Sequence, residues 1–201
     1  MLEVANLFSN PDKIESSSQT YHECISAAAF RGVQGKWDFT RTVQHKSKSA
    51  PDTSGEWIWD GKFKGEAQLH PRVASAPGAR DAAEYLYEEE GTWNRVDGST
   101  YPGTGDCVFN LDRDVFTIWT ANGDGGAGQL FHTPAFTAST DPKRGWLAMV
   151  SHRGEDGGYS TIYEFQCKGV KITSWSIVHT VETDDMVYNH KTVYLRPVPT
   201  R

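Results

Sequence analysis

Two periodicities divide the chain. Near the start, Tyr21, Cys24, Ile25 and Ala28 recur at helical spacing. Thr20-Tyr21-His22-Glu23 matches a capping box and Gly32 offers a left-handed stop, so one short amphipathic helix is expected over about 20–31. After Gly35 the period becomes two. Trp37, Phe39, Arg41 and Val43 share one strand face, and Lys36, Asp38, Thr40 and Thr42 the other. Gly61–His70 alternates as cleanly, with Phe63, Gly65, Ala67 and Leu69 against Lys62, Lys64, Glu66 and Gln68, the pattern of a half-buried antiparallel strand.

Further strands are expected at Ala83–Arg95, Cys107–Leu111, Val115–Thr120, Gln129–Thr137, Gly145–Arg153, Gly158–Lys168, Val170–Val181 and Tyr188–Arg196. Asn122–Gly126 and Asp141–Gly145 punctuate them as turns, and Lys168-Gly169 suits a tight hairpin. A meander of this length has to hide its edges, and closure does so most completely. The expected fold is all-β: a closed antiparallel barrel of about eight to ten strands with one short N-terminal helix, a two-sheet sandwich being the alternative. Residues 1–19 are polar and aperiodic and read as a flexible arm, leaving 20–201 as a single barrel domain.

Composition narrows the function classes. With 20 Lys+Arg against 26 Asp+Glu, the net charge of −6 disfavours a nucleic-acid binder and an anionic membrane surface. No apolar run is long enough for a signal peptide or a membrane span, so a cytoplasmic protein is expected. Cys24, Cys107 and Cys167 form no C-x-x-C and read as reduced thiols. The histidines are scattered, His132, His152 and His179 coming nearest to a cluster, and neither a metal nor a cofactor is expected. Nucleotide-binding and serine-hydrolase motifs are absent.

Candidate chemistry follows from strand parity. Arg41 shares the face of Trp37, where its fork of donors suits a carboxylate, enolate or phenolate, unless it turns to the surface or is buried against Glu89. Tyr85, Tyr87, Glu89, Gly91 and Trp93 share one face, and Leu86, Glu88 and Glu90 the other. Glu89 is therefore either an acid or base in an apolar interior, or half of a salt bridge with Arg41 or Arg95. His152 shares a face with Ala148 and Val150, and His179 with Trp175 and Ile177, as structural histidines or as proton shuttles converging on one cavity. Tyr85, Tyr87, Trp119, Tyr163, Phe165 and Trp175 are the candidate walls of a substrate site.

These residues carry a resemblance. Gly35-Lys36-Trp37 on the first strand and Arg196 after the last resemble the calycin arrangement of lipocalins and fatty-acid-binding proteins, in which the basic residue stacks over the indole. Trp37 with Arg41, Gly65-Glu66-Ala67, Tyr87-x-Glu89-x-Gly91, His152 with Tyr159, Trp175 and Thr192–Arg196 occur in the order of a lipocalin-like family of unknown function. The chain resembles a divergent member: Val178–Glu182 stands where that family commonly carries Gly-Pro and a basic residue, and Gly154 where a Cys follows the His. By analogy with such barrels, the resemblance implies a cofactor-independent cyclase or isomerase acting on a hydrophobic, polyketide- or terpenoid-like molecule by proton-assisted ring closure or rearrangement. In that scheme Arg41 holds an oxyanion, and His179 or His152 moves the proton with Glu89. The alternatives are a carrier of a hydrophobic ligand and a barrel filled by its own side chains. The expected partner is a hydrophobic small molecule, with the chain a monomer or homodimer.

Overall fold

The computed structural model describes residues 25–48, 56–78, 81–138, 145–154, 157–169 and 171–198. The expected arm at 1–19, the capping box, Cys24 and the turn at 141–144 lie outside these residues. The helix α1 occupies 25–33 and runs through Gly32 instead of stopping there. Gly32 is needed for close approach: a Cβ on it would lie 2.6 Å from Cδ1 of Ile172. The left-handed residue after the helix is Gly35, at φ 98°.

Among the described residues eleven strands follow: β1 (Gly35–Ser47), β2 (Ile58–Arg72), β3 (Ala83–Arg95), β4 (Thr100–Asp112), β5 (Val115–Ala121), β6 (Ala127–His132), β7 (Ala135–Ala138), β8 (Trp146–Gly154), β9 (Gly157–Lys168), β10 (Lys171–Glu182) and β11 (Met186–Leu195). They form one sheet in the order β6-β5-β4-β3-β2-β1-β11-β10-β9-β8-β7, and among the described residues there is no second sheet to make a sandwich. Every ladder is antiparallel. The count exceeds the expected eight to ten partly because Thr133-Pro134 splits the apolar stretch Gln129–Thr137 into β6 and β7.

Those two strands are the opposite edges of the sheet, yet His132 and Ala135 are only three Cα steps apart, at most about 11 Å. The sheet therefore curls until its edges approach each other. Among the described residues no ladder joins β6 to β7, so hydrogen bonding does not close the ring expected from the pattern. β2 and β3 pinch together at one point. Gly65 pairs with Gly91, and a Cβ on Gly65 would stand 1.8 Å from the Glu90 carbonyl oxygen.

Side chains on the concave face make the core, and α1 plugs one end of it. Phe30 of the helix stacks on Tyr85, with ring centroids 4.3 Å apart. Trp37, Phe39, Phe63, Leu69, Phe109, Phe165, Trp175 and Tyr194 are buried beyond it. Arg196 seals this end: its guanidinium lies 3.7 Å from the Trp37 ring centroid. The same group donates to the carbonyls of Gln34 at 2.9 Å and Gly32 at 2.8 Å, binding orphan carbonyls at the helix end. The indole N–H of Trp37 donates to the Val33 carbonyl at 2.7 Å.

On the convex face, Glu84 is fully buried and anchors the connection after β2. Its carboxylate accepts from the Ser75 and Ala76 amides at 2.9 and 3.1 Å, from Asn110 at 3.2 Å, and pairs with Arg72. Burial alone would raise its pKa; the hydrogen bonds from Ser75, Ala76 and Asn110 outweigh that and hold it below the ordinary value. Cys107 and Cys167 are free thiols. No described helix is long and apolar enough to cross a membrane.

Arg196 combines a ring contact with charge-assisted hydrogen bonds, so its loss is expected to be costly. Arg196→Ala should lower stability by about 2–4 kcal/mol, and Arg196→Lys, which keeps the charge without the fork, by about half as much. Urea midpoints of both variants against the parent chain check this; an unchanged midpoint for the alanine variant contradicts it.

Candidate functional site

The concave face holds a cavity of about 200 Å³ between β1, β3, β4, β5, β6, β9, β10 and β11. Strand alternation delivers its lining: Arg41 from β1, Tyr87 and Glu89 from β3, Cys107 and Phe109 from β4, Tyr163 from β9, Ile177 and His179 from β10 and Tyr194 from β11. A larger hollow of about 540 Å³ lies mainly against the convex face, among Lys36, Glu66, His70, Glu88, Glu90 and Asp106. Its walls are charged and mostly solvent-facing, whereas the concave cavity has the apolar walls and few polar groups of a small-molecule site. A third hollow, of about 460 Å³, opens at the uncapped end of the curl between His45, Asp60, Trp93, Arg95, Tyr188 and His190.

Parity places Arg41 inward as expected, and there it meets Glu89. The pair is bidentate, with both guanidinium nitrogens 2.8 Å from the carboxylate oxygens, and Arg41 Nε donates to Thr192 at 2.9 Å. Tyr87 donates a short hydrogen bond to the same carboxylate, and the Tyr87 and Tyr194 hydroxyls are 2.9 Å apart. Burial alone would lower the Arg41 pKa; the bonds to Glu89 outweigh it and hold the guanidinium above its ordinary value. Burial pushes both tyrosines up, so their hydroxyls stay protonated. Of the alternatives open for these two residues, the geometry realises the ion pair: Arg41 is bound to Glu89, and Glu89 would have to leave a bidentate pair to act as a base.

Tyr194 also stacks face to face on Trp175 at 3.8 Å. Trp175 in turn stacks on Phe165, 6.2 Å away. Trp175 and Phe165 are thus core, one layer behind the lining, as is Tyr85 under the helix, and none of the three walls the cavity. Trp119 lies on the face of β5 opposite Ile118, its indole N–H bonded to Thr117 at 2.9 Å, and faces away from the cavity. Of the six residues expected to wall a substrate site, Tyr87 and Tyr163 do so.

The histidines divide likewise. His179 lines the cavity, and its Nδ1 is 2.7 Å from the Thr161 hydroxyl. His152 is exposed, makes a ring contact with Tyr159 at 5.8 Å and is not among the residues that line the cavity. His132, not singled out for chemistry by the alternation, is 2% exposed and sits behind the wall made by Phe131, Tyr163 and His179. Its Nδ1 is 2.8 Å from the Tyr163 hydroxyl, while its Nε2 is buried without a partner. Burial lowers the pKa of His132 to about 4. Burial, reinforced by His132, His190 and Arg41, brings His179 to about 4 as well. Both rings are therefore neutral near pH 7. The Cys107 thiol is pushed up by burial and stays protonated. Among the described residues no group of three or more His, Cys, Asp or Glu is placed to hold a metal ion.

Tyr194, Phe109 and Ile177 line the cavity and His132 stands behind it, although none was a candidate wall in the sequence. Tyr194 and Phe109 lie on the buried parity of their strands, so the signal existed for the face; depth along the curl carried no sequence signal.

Among solved structures, the fold is shared with an S-type phycobiliprotein lyase, CPES, from Guillardia theta, at a TM-score of 0.52 and 11% identity over 91% of this chain and 98% of that one. At that identity the likeness establishes the fold and no more. No curated protein matches the chain in sequence. A family model does: over residues 33–196 the chain matches, and therefore belongs to, the family of unknown function DUF6314.

Proposed function

We propose that this chain is a binding barrel for a small, mainly apolar, ring-bearing molecule held in the concave cavity between Phe109, Tyr163, Ile177 and Tyr194. The observation that carries this is the self-neutralised lining. Arg41 and Glu89 satisfy each other, so apart from the exposed Asp106 an occupant meets ring faces, protonated hydroxyls and an uncharged imidazole. In this reading the curl works as a closed barrel, its seam covered by Phe131 and His132 in place of ladder bonds. The fold neighbour is named for phycobiliproteins, which adds a bilin to the compounds to titrate.

A second reading, cofactor-free isomerisation or ring closure of the bound molecule, is favoured by one observation. His179 is neutral, faces the cavity and has its Nδ1 oriented by Thr161, the arrangement of a proton carrier. Here His179 alone moves the proton, and Arg41 and Glu89 shape the floor.

Titration with a bilin and with polycyclic aromatic compounds should give saturable quenching of the intrinsic fluorescence. Ile177→Trp, which fills the cavity, should weaken that binding at least about tenfold with the far-UV spectrum retained. Absence of saturable change across the panel would refute the binding reading.

The ion pair is expected to act as scaffold. Glu89→Gln strands the Arg41 charge and should cost about 3 kcal/mol, while the joint replacement Arg41→Met with Glu89→Leu should recover most of it. Should the double variant be stable yet fail to bind what the parent binds, the pair belongs to the site and not to the scaffold.

Stability should also depend on pH with a definite sign. In the unfolded chain His132 and His179 take up protons as pH falls through about 6.5; in the folded protein they resist until about 4. Their contribution is complete above pH 6.5 and is lost progressively between 6.5 and 4. Urea midpoints followed from neutral to acidic pH should show this slope, and replacing both histidines by Phe should flatten it.

A further inference from the structure

The hollow at the uncapped end of the curl holds a second set of chemistry-bearing residues, none of which lines the inner cavity. Strand alternation puts His45 of β1, Trp93 and Arg95 of β3, and Tyr188 and His190 of β11 on the inner face there. Asp60 joins them by a break in that alternation. Val43 pairs with Gly61 and Gln44 with Trp59, so Asp60 is the extra residue of a β-bulge in β2. Gly61 beside it, at φ 151°, has a backbone conformation that favours glycine. A bulge re-aims a side chain, and here the Asp60 carboxylate meets His45, whose Nδ1 lies 2.9 Å from both of its oxygens.

The pair has the form of an oriented base. An ionised carboxylate only accepts, so the hydrogen bond places a proton on Nδ1 and leaves the lone pair of the neutral ring on Nε2. Nε2 of His45 makes no hydrogen bond to any described residue and, unlike Nε2 of His132, it is not buried. The imidazole packs against Tyr188, with ring centroids 6.1 Å apart, and its side chain is 23% exposed. Trp93 and Tyr188 give the hollow its aromatic walls. Burial lowers the pKa of His190, which is uncharged near pH 7. Arg95, exposed at the rim, makes no salt bridge or side-chain hydrogen bond among the described residues.

We propose that this mouth is a second site, in which His45 is a general base and Asp60 its positioning residue, acting on a neutral ring-bearing molecule with an acidic C–H, such as an enolisable ketone. The C–H bond breaks, the proton goes to Nε2, and the electron pair stays on the molecule as an enolate. Asp60 balances the imidazolium so formed, and Arg95 is the cation of the lining left to balance the enolate. Return of the proton to a different atom gives an isomer and restores His45, so the step consumes no co-reactant. The proposal goes beyond both readings of the inner cavity and does not depend on them, because the two sites share no residue. A purely structural pair would pin the bulge without touching a substrate.

The probe is 5-nitrobenzisoxazole, a neutral bicyclic compound whose reaction needs only a base: loss of its C3 proton breaks the N–O bond, forms a nitrile and releases a coloured nitrophenolate. The full chain should turn it over with saturation kinetics. His45→Gln should lower kcat/KM about 10²-fold with the far-UV spectrum retained. Asp60→Asn should act on kcat more than on KM, by about tenfold, because an amide N–H presented to Nδ1 puts the ring proton on Nε2. Nitrogen NMR reads the same change without turnover and, in the parent chain, needs no variant to fold. Neutral His45 should be the Nδ1–H tautomer in the parent and the Nε2–H tautomer in Asp60→Asn. Turnover that survives His45→Gln, or that falls with His190→Gln in its place, overturns the proposal. So does an Nε2–H tautomer in the parent chain, or turnover no faster than that of free imidazole at the same concentration. Each of these failures leaves the inner cavity to its own titration.

Discussion

The connection Thr133-Pro134 joins the two outermost strands of an eleven-stranded sheet, and that covalent constraint shapes everything inside it. Strands that are neighbours in sequence must be neighbours in space, so a sheet with β6 at one edge and β7 at the other has to curl through most of a turn. Curling creates one concave face and excludes a second sheet. It also brings His132, on one edge strand, against Tyr163 and His179 on β9 and β10, which stand at the other side of the sheet order. The proline contributes directly: with no amide hydrogen and a fixed φ, it interrupts a stretch that would otherwise continue as one strand. Glycines allow a close approach within the sheet. The Gly65–Gly91 pair sits where the two backbones come too close for any Cβ, and the rings of Phe39 and Phe63, 5.1 Å apart, pack on the concave side nearby.

How much of this was legible follows from what period two encodes. Alternation assigns a face, and it did so correctly for Trp37, Phe39 and Arg41 on β1 and for Tyr85, Tyr87 and Glu89 on β3. The Trp37–Arg196 contact was legible as well, since it needs only the first strand, the end of the last and a basic residue placed to reach an indole. Position along the barrel axis was not legible. Tyr85 and Glu89 share a face, yet one packs under the helix and the other floors the cavity, because strand tilt sets depth independently of parity. Trp119 shows a different limit: its strand buries Phe116 and Ile118, and an aromatic of the opposite parity faces away from the cavity. Gly32 shows a third kind of limit. Its helical neighbours suggest a stop, but the side chain it lacks is excluded by Ile172, a residue of β10.

The charges show why the site differs from the one that residue types suggested. An arginine and a glutamate facing an apolar interior look like an anion anchor and a base when considered singly. Together, at 2.8 Å and with Tyr87 and Thr192 completing their hydrogen bonds, they become the least reactive groups in the cavity. Separating two such charges costs several kcal/mol, so any role that asks Glu89 to take a proton must first overcome its pairing. The polar capacity left for an occupant comes from groups that burial has stripped of charge. Hydroxyls of Tyr163 and Thr161 fix the imidazoles beside them, and what those imidazoles present is directional and neutral. The cavity wall is thus polar through neutral, directional groups, and its buried charges are paired with each other. In a low-dielectric interior such groups hold their orientation only where their hydrogen bonds are met, and Tyr163 and Thr161 meet them at Nδ1 of the two rings.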